Sequence, residues 1–169
     1  VAVDEILHTN PQLAERGDEI VFSVPSGNFG DALGCEYARR MGLPVARLVM
    51  PTNENDEFPR FLATGRYEKI SPSRACLSNA MNVGHPSNLA RFFDLYGGTV
   101  DRTGRVHRQP DLESMRRNLF SVTVSDEETR QTIRRAYEQH GLLLEPHGAV
   151  GWRGLALYLE RFPEVPLAV

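Results

Sequence analysis

The residues best suited to chemistry lie in one short stretch, Ser26-Gly27-Asn28-Phe29-Gly30. It follows a β-branched apolar run over 20–24 and leads into a helix-forming segment over 32–41. A helix start leaves its first backbone N–H groups without partners, and its dipole favours negative charge. Gly27 and Gly30 permit positive φ and close approach of another group to the backbone. Ser26 and Asn28 add side-chain donors. An α/β protein builds a phosphate cradle in this way, beyond the carboxyl end of a strand. The spacing is neither G-x-G-x-x-G nor G-x-x-x-x-G-K-[ST]. On spacing alone the loop reads equally as an anion cradle or as a tight turn that needs its glycines only for geometry.

Two further polar clusters accompany it. Asn53, Asn55 and Asp56 follow a second apolar run, and Asn53 or Asn55 could donate to a cofactor oxygen or a substrate phosphate. Turn roles account for them as well, and Asp56 is expected to cap a helix starting at Glu57. Ser78, Asn79 and Asn82 carry compact donors in an irregular stretch, where Asx and ST turns are the alternative. Ser87 and Asn88 read as caps of the next helix. His147, just after Glu145-Pro146, reads as structural. The five histidines and two cysteines, Cys35 and Cys76, show neither metal-ligand spacing nor a disulfide framework, so no metal is expected.

The elements that must position these residues follow from periodicity. Strands are expected over 20–24, 45–50 and 120–124, with a short strand or extended piece over 142–144. The helix over 32–41 should bury Leu33, Tyr37 and Met41 and leave Arg39 and Arg40 in water; Gly42 and Pro44 stop it. Further helices are expected over 57–64, over 86–96 with a Leu89, Phe92, Phe93 and Tyr96 stripe, and after Pro110 at N1 with a Leu112, Met115 and Leu119 stripe. Ser125 and Glu128 form a capping box for a helix that closes near Gly141. A last helix over 149–161 carries Trp152, Leu155 and Leu159 on one face. Strand, helix and strand in this order give a three-layer α/β fold with a mostly parallel sheet. The segment over 1–7 reads as the tail of a helix and 164–169 as the start of a strand, as in a piece of a larger fold.

Composition bounds the function. The 169 residues are 41% hydrophobic and 24% charged, which suits a single globular unit with a core. A net charge of −3 argues against nucleic acid or an anionic membrane as partner. No apolar run reaches membrane-spanning length and no signal peptide is visible, so a cytoplasmic location is expected. Lys69 is the only lysine.

Val24-Pro25-Ser26-Gly27-Asn28-Phe29-Gly30-Asp31 closely resembles the loop that binds the cofactor phosphate in threonine synthases, which are fold type II pyridoxal-phosphate enzymes of the tryptophan synthase beta-like fold. The resemblance continues in family order through Gly42-Leu43-Pro44-Val45, Thr52-Asn53-Glu54-Asn55-Asp56, Pro59-Arg60-Phe61-Leu62, Leu77-Ser78-Asn79-Ala80-Met81-Asn82-Val83, Pro86-Ser87-Asn88, Ser125-Asp126-Glu127-Glu128-Thr129 and Glu145-Pro146-His147-Gly148-Ala149-Val150-Gly151. It implies pyridoxal 5'-phosphate held by Ser26, Gly27, Asn28, Phe29 and Gly30. It implies O-phospho-L-homoserine as substrate, with elimination of phosphate and addition of water giving L-threonine. Asn53, Asn55, Ser78, Asn79 and Asn82 would then wall the active site; Asn82 stands where many relatives have Asp. The cofactor needs a Schiff-base lysine, which in such enzymes comes from an earlier segment, and Lys69 lies in what reads as a solvated loop. The strand that faces the pyridine nitrogen comes later than Val169. The chain is therefore expected to be one part of a large catalytic domain, dependent on the remaining portion of the same polypeptide and inactive alone. A dehydratase or β-replacement enzyme of the same fold, or a non-catalytic phosphate-binding module, are the alternatives.

Overall fold

A computed structural model describes Glu5, His8, Thr9, Pro11, residues 19–164 and residues 168–169. Most of the expected helix over 1–7 lies outside the described residues. Three strands form a parallel sheet in the order β1 (Ile20–Ser23), β2 (Val45–Val49) and β5 (Leu119–Phe120). Phe22 pairs with Leu48, and Leu48 with Leu119. Ala168 bridges Val21 in parallel, and Ser23 donates its N–H to Val169 O at 2.7 Å. The expected strand near the end thus does add to the sheet, on the far side of β1; residues 165–167 of it lie outside the described set.

Adjacent strand residues point to opposite faces, and here each face has its own core. Leu48 and Leu119 join Phe29, Phe58, Phe61, Phe92 and Phe93 on one side. Val21 and Val49 join Tyr158 on the other, with Phe120 packed against them. The first side is covered by α1 (Gly30–Arg40), α2 (Glu57–Thr64), α3 (Leu89–Leu95) and α4 (Leu112–Asn118). The second is covered by α6 (Pro146–Arg161), against which α5 (Asp126–His140) packs. This is the expected three-layer arrangement. A two-stranded antiparallel hairpin, β3 (Thr99–Val100) and β4 (Val106–Arg108), follows α3.

Several elements differ from their sequence expectation. In α1 Tyr37 and Met41 are exposed, and the inward face is Ala32, Leu33 and Glu36. The fully buried Glu36 carboxylate is held at 2.8–2.9 Å by Arg39 and Arg40 and at 3.0 Å by the Tyr96 hydroxyl, so the two arginines pair with it instead of simply facing water. In α6 the buried face is Ala149, Val150, Gly151, Gly154 and Tyr158, while Trp152 is 43% exposed. Small residues win this face because Gly151 and Gly154 lie directly against Pro25 and Pro51 at the strand ends. α3 starts only at Leu89, with Asn88 at its N-cap and the Ser87 N–H and hydroxyl donated to Asn28. Pro110 precedes the N-cap of α4; Asp111 is that cap and accepts Ser114 N–H at 3.0 Å. Residues 142–144 are not a strand, and Leu142 and Leu143 are exposed. The third strand is regular only over Leu119–Phe120, yet Thr52 and Val124 continue the pairing through N–H bonds of 2.9 and 2.8 Å. The Ser125–Glu128 capping box and the Gly141 stop of α5 are as expected.

Candidate functional site

The loop after β1 is fixed from both sides of its backbone. Val24 N–H donates to Val49 O at 2.8 Å and Ser26 N–H to Pro51 O at 2.9 Å, so the chain leaves the sheet alongside the end of β2. The Ser26 hydroxyl turns back to Val24 O at 2.7 Å, and the residue is buried. Positive φ falls on Phe29 (φ 63°), not on Gly27 or Gly30 as the glycines suggested. A left-handed non-glycine residue costs about 1–2 kcal/mol. The Phe29 ring offsets this: it is 2% exposed and packs edge-on against Phe58 and Phe92, with centroids 4.9 and 6.0 Å away.

This geometry leaves an anion cradle. The N–H groups of Gly27, Asn28, Phe29 and Gly30 have no acceptor among the described residues, and α1 begins at Gly30 with no side-chain cap. A Cβ on Gly30 would meet nothing nearer than Asn88 Nδ2 at 3.9 Å, so the approach to the helix start is open. Gly27 is needed for a different reason, since a Cβ there would lie 2.7 Å from Met81 Cα. Bare N–H groups at the head of an eleven-residue helix fit a phosphate ester. The exposed Asp31 is the one acid in the first turn.

Asn28 is exposed, and its Oδ1 accepts Ser87 N–H at 2.6 Å and the Ser87 hydroxyl at 3.0 Å. Asn88 Nδ2 donates to Asn28 O at 2.8 Å. Ser87 and Asn88 therefore hold the cradle; Asn88 stands at the N-cap of α3 as expected, but its side chain makes no cap bond there.

The second cluster is a lattice of amides. Asn53 Nδ2 donates to Asn82 Oδ1 at 2.9 Å and to the Ser78 carbonyl and hydroxyl at 3.3 and 3.2 Å. Asn53 Oδ1 accepts both the N–H and Nδ2 of Asn55 at 2.9 Å. Asn55 in turn exchanges bonds with the backbone of Arg74, at 2.7 and 3.0 Å. Asn82 Oδ1 also takes Cys76 N–H at 3.2 Å. Asn53, Asn55 and Ser78 are each 1% exposed. The Asn53 and Asn55 amides are spent on each other, on Ser78 and Asn82 and on the Arg74 backbone, which is what a buried polar network requires. Among the sequence-predicted wall residues Asn79 is different: it is exposed, and its side chain has no partner among the described residues.

Three outside groups pin the turn over 77–82. Asp126 Oδ1 accepts Leu77 N–H at 2.9 Å, and His147 Nε2 accepts Ala80 N–H at 3.1 Å. Asn53 supplies the third. In the sequence, the only signal for the Asp126 and His147 contacts is their place in helix-entry turns. Asp56 occupies the N-cap position of α2 but makes no cap bond, and its carboxylate pairs with Arg60 Nε at 3.0 Å. Lys69 is exposed, and its stem packs on Gly104 in the β3–β4 turn. Burial raises the Cys35 and Cys76 thiols above their ordinary range, as for inert core thiols. No cluster of three metal-ligating side chains occurs among the described residues.

The structure thus joins Ser26–Gly30 to the 78–82 turn through Gly27 and Met81, and Asn53 to both Ser78 and Asn82. Asn55 stands one step back, against Arg74 and Cys76. Comparison with known proteins gives this arrangement a family. A family model described as "Pyridoxal-phosphate dependent enzyme" matches residues 2–166. The chain belongs to the pyridoxal-phosphate dependent enzymes. A curated threonine synthase of Pseudomonas aeruginosa is 39% identical, over 86% of this chain and 34% of its own length. That of Schizosaccharomyces pombe is 37% identical, over 80% of this chain and 33% of its own. A crystal structure of PLP-bound threonine synthase from Brucella melitensis superposes with a TM-score of 0.78 at 28% identity, over 99% of this chain and 38% of that one. The chain of this family member therefore spans about a third of the length of the relatives it matches.

Proposed function

We propose that this chain is the cofactor-phosphate-binding part of a threonine synthase, and that the intact polypeptide converts O-phospho-L-homoserine and water to L-threonine and phosphate. The observation that carries the reading is the row of N–H groups from Gly27 to Gly30 at the head of α1, none of which has an acceptor among the described residues. The identity of 37–39% to threonine synthases across most of the chain supports it.

In this reading Gly27, Asn28, Phe29 and Gly30 donate their backbone N–H groups to the phosphate of pyridoxal phosphate. When bound, that cofactor supplies an electron sink for carbanion chemistry at the substrate. Ser26 shapes the loop rather than touching the phosphate, since its hydroxyl is committed to Val24 O. Asn28 and Asn79 present amide groups that can orient a second anion, the phosphate of the substrate. Asn53, Asn55, Ser78 and Asn82 act one layer behind, fixing the turn that carries Asn79. The proton-moving lysine belongs to the remaining portion of the polypeptide, which is the partner this chain requires. A cytoplasmic location is part of the same proposal; no helix among the described residues is long and apolar enough to cross a membrane.

The test is an assay of the full-length polypeptide, loaded with pyridoxal phosphate, on O-phospho-L-homoserine, L-serine and L-threonine in parallel. Release of threonine and phosphate from the first is the expected result. Turnover of serine or threonine alone would assign the chain to a dehydratase, and turnover of none would leave a binding module.

A further inference from the structure

We propose that His147 is a positioning residue for the phosphate cradle, acting through the backbone of Ala80. The proposal rests on the reading of Gly27–Gly30 as the cofactor-phosphate site and adds what holds that site shut on one side.

Pro146 at the first position of α6 and Glu145 at its N-cap set the His147 ring at the entry to the helix. The Glu145 carboxylate accepts the N–H groups of His147, at 2.8 Å, and of Gly148. It also lies 2.6 Å from His147 Nδ1. A carboxylate only accepts, so this contact puts the imidazole proton on Nδ1 and leaves the lone pair on Nε2. Nε2 then accepts Ala80 N–H at 3.1 Å. Ala80 is exposed, and its N–H has no other acceptor among the described residues. Ala80 O and Met81 Cα are the atoms that face Gly27, at 3.1 and 2.7 Å from where a Cβ would stand. One hydrogen bond thus links α6, from the far side of the sheet, to the peptide that closes on the cradle.

The helix does not need the ring for its own sake, because Glu145 makes both cap bonds through the backbone of His147 and Gly148. Removing the imidazole leaves both backbone cap bonds in place; it frees the Ala80 N–H and gives up the ring's contact with the Glu145 carboxylate. A glutamine can set its Oε1 where Nε2 stands and accept the same N–H.

The experiment uses the full-length polypeptide as wild type, His147→Ala and His147→Gln. Hydrogen exchange is followed at the Ala80 amide, and equilibrium dialysis measures affinity for pyridoxal phosphate and for inorganic phosphate. One lost hydrogen bond corresponds to about tenfold. His147→Ala is expected to speed Ala80 exchange about tenfold and to weaken pyridoxal-phosphate binding by roughly the same factor. His147→Gln is expected to restore both to within about threefold. Unchanged Ala80 exchange in His147→Ala, unchanged affinity beside faster exchange, or equal impairment in both variants would each overturn the proposal while the cradle reading stands. Wild-type protein that takes up neither probe would overturn the cradle reading, and this proposal with it.

Discussion

Gly27 and Met81 meet backbone to backbone: a Cβ on Gly27 would lie 2.7 Å from Met81 Cα and 3.1 Å from Ala80 O. Neither atom is the flexible end of a side chain, so a methyl group there must move the turn. Gly27→Ala is expected to cost about 1–3 kcal/mol, the range for overpacking a filled space, and to weaken pyridoxal-phosphate binding at least tenfold (about 1.4 kcal/mol). Gly34→Ala is the matched control. Gly34 lies within α1 with nothing within 4 Å of its Cβ position, so the change should be neutral or stabilise by up to about 1 kcal/mol. Thermal midpoints of the two full-length variants decide the matter; equal shifts would contradict the close approach.

Phe29 combines a left-handed backbone with a ring in the core, and the two can be separated. Phe29→Ala deletes the ring contacts with Phe58 and Phe92 and keeps the strained φ of 63°. It is expected to cost about 3–5 kcal/mol. Phe29→Gly deletes the same contacts but removes the strain. It should be the more stable of the two, by about 1 kcal/mol, the reverse of the usual order of alanine over glycine. Denaturation midpoints give the order directly, and alanine above glycine would refute the strain.

What could be read from the sequence divides by the range of the interaction. The Ser125–Glu128 capping box, the Gly141 stop and the strands at 20 and 45 depend on neighbours a few residues away, and they stand where expected. The cradle's position beyond β1 was legible for the same reason. The source of its shape was not: glycines advertise positive φ, but Phe29 adopts it because Phe58 and Phe92, far along the chain, bury its ring. The inward face of α1 departs from its apolar periodicity because Glu36, a polar residue, is buried once Arg39, Arg40 and Tyr96 are brought to it. Ser87 and Asn88 sit where caps would sit, and only the fold shows that Asn28 takes their bonds. The asparagines stand out as clusters in the sequence, but the bonds that join Asn53 to Asn55 and Asn82 are a matter of tertiary packing.

Asn82 offers a test of that lattice. Its Oδ1 accepts two N–H donors, Asn53 Nδ2 at 2.9 Å and Cys76 N at 3.2 Å. An aspartate oxygen can accept both, so Asn82→Asp should change stability by less than about 1 kcal/mol near neutral pH. Asn82→Ala strands the Cys76 N–H and takes one of the partners of Asn53, at a cost of about 1–3 kcal/mol. A double-mutant cycle with Asn53→Ala should give a coupling of about 0.5–2 kcal/mol. Zero coupling would show that the two side chains do not interact.

Buried acids on the two neighbouring helices should give opposite responses to pH. Glu36 is buried, which opposes its ionisation, but hydrogen bonds from Arg39 and Arg40 outweigh this and hold its carboxyl below the ordinary 4.5. Its contribution to stability is present above that value and is lost as pH falls through the lower folded one. Glu57 is 1% exposed, and its Oε2 has no hydrogen-bond partner among the described residues. Burial, with the Asp56 charge adding to it, pushes its carboxyl up to about 7. Between 4.5 and about 7 the folded state holds a proton that the unfolded state has released, so stability falls as pH rises through this window. Glu57→Gln removes the ionisation and keeps the shape. It should stabilise the full-length protein by on the order of 2–3 kcal/mol above pH 7, do little near pH 4.5, and flatten the decline between them. Denaturation midpoints of wild type and Glu57→Gln across pH 4.5 to 8 measure the difference. A pH-independent gap between the two curves would mean that burial does not shift the Glu57 carboxyl in the folded protein.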